Sequence, residues 1–202
     1  MSVAMSRRRR ARDLVIVAAS AGVVVAGARA ARSGRWIDVE TRVFDAVNGL
    51  DQRAHGPAWA AMQLGSLGGS LATGVLVALG GRPRLGRHVG IVGTVAWLGS
   101  KAVKPFVGRG RPAVEIARAR VLGREQSGLG YPSGHAAVAT AMASVVAPHL
   151  PFRLRPVVWL GAFGVGATRM YVGAHLPLDI VGGVALGLGT ERVVRLVTAH
   201  DA

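Results

Sequence analysis

Three separated stretches carry side chains able to do chemistry together. Lys104-Pro105-Phe106-Val107-Gly108-Arg109-Gly110-Arg111-Pro112 supplies cations, and Pro132-Ser133-Gly134-His135 supplies a hydroxyl, open backbone N–H groups and an imidazole. Arg169-Met170-Tyr171-Val172-Gly173-Ala174-His175-Leu176-Pro177-Leu178-Asp179 adds a cation, a second imidazole and a carboxylate. Lys104, Arg111 and Arg169 meeting at one place call for an anion, and a tetrahedral phosphoryl group suits them. Arginine offers forked donors and lysine a point charge. Pro132 disfavours a helix before it and Ser133 is a good N-cap, so a helix is predicted to begin here. Ser133 and Gly134 would place its N–H groups on the same anion. Such a cage stabilises charge on phosphoryl oxygens as the reaction proceeds. Asp179, accepting from one nitrogen of His175, would fix the tautomer and leave the other nitrogen as a nucleophile. His135 would protonate the leaving oxygen and later activate water.

Each residue also has a plainer role open to it. Lys104 and Arg169 can be boundary cations that snorkel, and Arg111 a loop charge. His175 with Asp179 can be a structural hydrogen bond or half a metal site. His55, His88, His149 and His200 read as loop or span-end residues. Arg109, Arg118, Arg120 and Arg124 read as solvated charges or headgroup contacts.

Elements must bring these stretches together, and the composition indicates which kind. Half of the 202 residues are hydrophobic and 29 are glycine. The apolar residues are bunched into blocks long enough to cross a bilayer, separated by short Arg-bearing segments. The fold class read from this pattern is all-α, a polytopic membrane protein with six transmembrane helices. The spans are placed at 14–28, 57–79, 88–103, 133–150, 157–171 and 178–196. After the first, residues 36–50 repeat apolar positions at three and four, as an amphipathic helix at the interface does. Residues 1–13 form a basic cytoplasmic segment and 14–202 one domain. Ala28-Arg29-Ala30 also fits a signal-peptide cleavage site. The segment 105–131 is too broken by Gly and Pro for one regular element.

The formal net charge of +15 fits basic loops facing anionic lipid, with no nucleic-acid partner. Arg82, Arg84 and Arg87 mark one turn as cytoplasmic, and six crossings put both termini there. The loops after spans one, three and five then share the extracytoplasmic side, where the three stretches meet. The absence of cysteine removes disulfides and thiolate chemistry. Usage rich in Ala, Arg, Gly and Val fits a high-GC bacterium, hence a bacterial cell membrane.

Taken in order, the stretches resemble the signature of the type 2 phosphatidic acid phosphatase superfamily: K-x6-R-P, P-S-G-H and S-R-x5-H-x3-D. Thr168 stands where that family usually has serine, and it retains a hydroxyl. The resemblance implies a membrane lipid phosphatase with His175, His135 and Asp179 as catalytic residues. Lys104, Arg111, Ser133, Gly134 and Arg169 would bind the phosphate. It implies no metal and no cofactor, consistent with a single carboxylate near the site. Expected substrates are polyprenyl phosphates or diphosphates, phosphorylated polyprenyl sugars, phosphatidic acid and phosphatidylglycerol phosphate. Two other readings stand beside it. One is a vanadate-type haloperoxidase, against which the apolar blocks argue. The other is a lipid-binding or channel protein without turnover.

Overall fold

In the computed structural model, residues 2–124 and 126–198 are described, and the regular elements among them are all helical. His200 lies outside the described residues. In chain order the helices are α1 (Ser2–Ser33), α2 (Ile37–Asn48), α3 (His55–Gln63), α4 (Leu67–Leu79), α5 (Pro83–Val107), α6 (Pro112–Glu115), α7 (Gly134–Val146), α8 (Arg155–Tyr171) and α9 (Pro177–Thr198). Their ends follow from local chemistry. Pro83 and Pro177 open α5 and α9, where a missing N–H costs nothing. The Ser66 side chain caps α4 by accepting from Gly69 N–H at 2.9 Å. Gly108 closes α5 in the left-handed region at φ 69°, where glycine pays no Cβ penalty.

Helix α7 is the core. Residues 136–145 are all buried, and most of their side chains are small. Val138 and Met142 pack with Val89 and Val92 of α5. Ala139 and Ala143 pack with Ala162 and Val165 of α8. Against α9 the approach is backbone to backbone: a Cβ on Gly183 would lie 2.4 Å from the Ser133 carbonyl oxygen. One on Gly187 would lie 2.3 Å from that of Ala137. Glycine is therefore required on α9 at both positions. Helix α1 packs on the outer side of α9.

The expected second span is bent. Helices α3 and α4 meet at 60° across residues 64–66. Two things break the helix there. Ser66 caps a new one, and Gly65 presses against α7, where a Cβ would come within 2.7 Å of the His135 carbonyl oxygen. The expected fourth span is also shorter than read, since α7 ends at Val146 and a 3-10 turn takes Ala147–His149.

By length and composition, α1 alone among the described helices is apolar enough to cross a membrane, and the bent pair α3–α4 qualifies as a second. The 13 residues of α7 rise only about 20 Å. Glycine and cations dilute the hydropathy of α5, α8 and α9. Their outward faces are nonetheless apolar: Leu76, Ile91, Leu98, Leu160, Phe163 and Val197 are all exposed.

The amphipathic helix expected after α1 is α2, but its faces are reversed from the usual pattern. Trp36 just before it, Val39 and Val43 are exposed, while Glu40 and Asn48 are buried beside Phe44. The polar pair faces inward because its partners are there, as the site shows.

The α7–α9 contact yields a test. Gly187→Val should cost at least about 1–3 kcal/mol, because the side chain would drive the two backbones apart. The thermal midpoint of the purified protein in detergent should fall by several degrees.

Candidate active site

One end of the bundle collects the C-termini of α5 and α8 and the N-termini of α7 and α9. Backbone bonds tie them together. Ser133 N–H donates to the Asp179 carbonyl at 2.8 Å, joining α7 to α9. Ala174 and His175 N–H groups donate to the Arg169 carbonyl at 2.9 and 3.2 Å, folding the α8–α9 link back on itself.

The three expected phosphate-binding cations all lie at this end, held differently. Lys104, in the last turn of α5, donates from Nζ to the carbonyls of Leu129 and Gly130, both at 2.7 Å. Arg111 donates from Nε to the Ser127 and Gly128 carbonyls, and from Nη1 to that of Ala174 at 2.9 Å. Arg169 is 3 % exposed and has no carboxylate partner among the described residues. Its Nη1 lies 3.2 Å from Met62 Sδ, and its Nε has no hydrogen-bond partner. A buried guanidinium so poorly met is placed to receive an anion.

Ser133 is fully buried and caps α7, its Oγ accepting from Ala136 N–H at 3.4 Å. Gly134 opens α7 with its backbone against Ser100. His135 follows on the first turn, partly exposed, in the field of Arg169, His175 and Arg111. His175 is buried in the short link before α9, with Nδ1 3.3 Å from Asp179 Oδ2. Asp179 Oδ2 also accepts from Leu176 N–H at 3.0 Å. With Nδ1–H turned to Asp179, the lone pair resides on Nε2. Burial, and then the cations Arg169, Lys104 and Arg111, push the His175 ring well below its ordinary 6.5. It is therefore neutral at pH 7.

Two residues that the motifs did not single out complete the site. Arg109, read from sequence as a solvated charge, is buried and ion-paired. Its Nη1 donates to Asp179 Oδ1 at 3.2 Å, and its Nη2 pairs with Glu40 Oε2. Glu40, from α2, also accepts from Leu178 N–H at 2.8 Å. The expectation of a single carboxylate near the site is thus corrected to two. No local signal marked Glu40, which stands among Asp38, Arg42 and Asp45 in the same amphipathic stretch. Arg118 is exposed and pairs with Asp45, as its solvated reading implied. Thr168 turns its hydroxyl to the Val165 carbonyl of its own helix at 2.8 Å. His55, read as a loop or span-end residue, is the first residue of α3. It lines a cavity of about 140 Å³ together with Trp59, Arg111, Arg124 and Arg169.

Two outcomes follow from these surroundings. Arg169→Met should stabilise the ligand-free protein by on the order of 1 kcal/mol, read as a higher thermal midpoint, because it removes a buried cation that lacks a counter-ion among the described residues. The same variant should lose the stabilisation that orthovanadate confers on the wild type, read by thermal shift. The His175 ring gives the second. An unfolded ring takes up a proton near pH 6.5, whereas the buried ring resists it. Its contribution to stability is therefore present above pH 6.5 and lost as pH falls below it. Melting temperature followed from pH 7.5 to 5 should decline less steeply in His175→Asn.

The family model of the PAP2 superfamily matches residues 69–200. The fold is similar to that of the transmembrane PAP2-type phosphatidylglycerolphosphate phosphatase from Bacillus subtilis, at TM-score 0.76 and 22% identity, over 92% of this chain and 97% of that one. It is also similar to Aquifex aeolicus LpxE, at TM-score 0.68 and 21% identity, over 78% of this chain and 94% of that one. With His135, His175 and their cations gathered at one end of this helical bundle, the chain belongs to the PAP2 superfamily and is a phosphatase of that type.

Proposed function

We propose that this protein is an integral membrane lipid phosphatase that works through a phosphohistidine intermediate without a metal ion. The observation that carries the reading is Arg169, a buried cation that meets a thioether and no carboxylate among the described residues, next to a neutral His175 backed by Asp179. A phosphoryl group supplies the missing oxygens. His175 Nε2 attacks phosphorus, and the bond to the lipid oxygen breaks. His135 gives its proton to that oxygen. Water then attacks the phosphohistidine while His135 takes up the water's proton, and inorganic phosphate leaves. Lys104, Arg111, Arg169 and the N–H groups at Ser133 and Gly134 hold the charge throughout.

The apolar outer faces of α4, α5, α8 and α9 support residence in a bilayer. In this reading α1, the pair α3–α4, α5, α7, α8 and α9 make six crossings. The Arg7–Arg10 run keeps the N-terminus inside, and three crossings then carry the end of α5 to the extracytoplasmic side. The substrate is a lipid phosphate or diphosphate, with polyprenyl and glycerolipid phosphates as the candidates.

Protein in detergent should release phosphate from such lipids in the presence of chelator, and orthovanadate should inhibit release. His175→Ala should abolish turnover while folding is retained. His135→Ala should slow it by roughly 10²–10⁴-fold, and by less when the leaving group is good. Undiminished turnover by His175→Ala would remove that residue from the nucleophile role.

A further inference from the structure

Asp179 is buried among cations and apolar walls, yet the His175 ring depends on where its carboxylate points. Oδ2 faces the ring and Leu176 N–H, while Oδ1 receives Arg109. Arg109 is held in turn by Glu40 of α2. The same Glu40 carboxylate accepts the backbone N–H of Leu178, one residue before Asp179. Glu40 therefore grips the first turn of α9 twice, directly and through Arg109. All three charged groups are buried, at 4, 6 and 0 % exposure for Glu40, Arg109 and Asp179. In such surroundings charge pairs are strong and their geometry is stiff. A fourth residue joins α2 to the other side of the site. Asn48 donates to the carbonyls of Tyr171, the last residue of α8, and Arg120, in the loop after α6, both at 2.8 Å.

We propose that Glu40 and Arg109 are positioning residues for the phosphatase reaction. The chain Glu40–Arg109–Asp179–His175 runs from the interfacial helix α2 to the nucleophile and fixes the ring's aim and tautomer. Neither Glu40 nor Arg109 touches the phosphoryl group. The proposal rests on the reading of His175 as nucleophile, and it differs from an anchoring role for α2 alone. An anchor would affect folding and leave the chemical step intact. A positioning chain lowers kcat by displacing Asp179, whether the hold is lost at Arg109 or at Leu178 N–H.

The test is a double-mutant cycle in the full-length protein, with a short-chain phosphatidic acid in detergent micelles as the probe. Wild type and His175→Ala are run first. Turnover that needs His175 upholds the proposed function, so later failures belong to the positioning chain. Arg109→Gln should lower kcat by about 10–100-fold and Glu40→Gln by about 3–10-fold, with KM within about threefold of wild type. Introduced into Asp179→Asn, each should cause less than about threefold further loss, because the interaction it serves is already gone. Losses that multiply in the Asp179→Asn background, or wild-type kcat in Glu40→Gln, would overturn the proposal. If Arg109→Gln does not fold, the isosteric Glu40→Gln carries the cycle. If phosphatidic acid is not turned over, the orthovanadate thermal shift replaces kcat in the same cycle. It should shrink in Glu40→Gln but not shrink further when that change is added to Asp179→Asn, and an additive loss would again defeat the idea.

Discussion

Lys104, Arg109, Arg111 and Arg169 crowd one end of this bundle, and among the described residues carboxylates meet Arg109 alone of these four. Arg109 has Glu40 and Asp179. Lys104 and Arg111 are met by backbone carbonyls, which carry partial charge only. Arg169 has a thioether. This imbalance is costly in a buried setting, and the rest of the site is arranged around it. Carbonyls of residues 127–130 are turned inward where a loop would normally turn them to water. The result is a cage that is satisfied enough to hold its shape and short of oxygen at its centre.

Holding such a cage open requires rigid walls, and close backbone packing provides them. Ser133 N–H is bonded to the Asp179 carbonyl, and Gly183, one turn along α9, lies against the Ser133 carbonyl. Helix α7, which carries His135, and helix α9, which carries Asp179, are thus registered to each other by main chain, not by flexible side chains. Gly65 does the same from the third side, where its contact with the His135 carbonyl bends α3 away from α4. That bend places Met62 over Arg169. A straight second span would keep α3 from leaning over the end of α8 in this way.

What the sequence disclosed and what it hid divide along the same physical line. That Lys104, Arg111, His135, Arg169, His175 and Asp179 gather at one end was legible because each sits in a short motif with its own cap or turn signals. Hydrophobic blocks located α5, α8 and α9 closely. The break at 64–66 was hidden because Leu64 and Leu67 continue the apolar run across the Ser66 cap, and the packing of Gly65 against α7 has no local signal. Arg109 was misread because a charge between Gly108 and Gly110 looks solvated, and burial of a loop leaves no periodicity. Glu40 was invisible as a site residue for a different reason. Its partner Arg109 lies 69 positions away, and no local pattern reports a pairing at that range.

Helix α2 brings these strands together. Its sequence period is that of an interfacial helix, and its exposed Val39 and Val43, with Trp36 before it, are suited to lipid. Its inner face spends two polar residues, Glu40 and Asn48, on bonds to distant backbone and to Arg109. A helix needed only as an anchor would gain more by burying leucine there, since burying a charge costs free energy that apolar packing does not. The polar inner face is accounted for if the helix sets the geometry of the ends of α8 and α9. Where α2 rests on its surroundings then bears directly on how Asp179 meets His175.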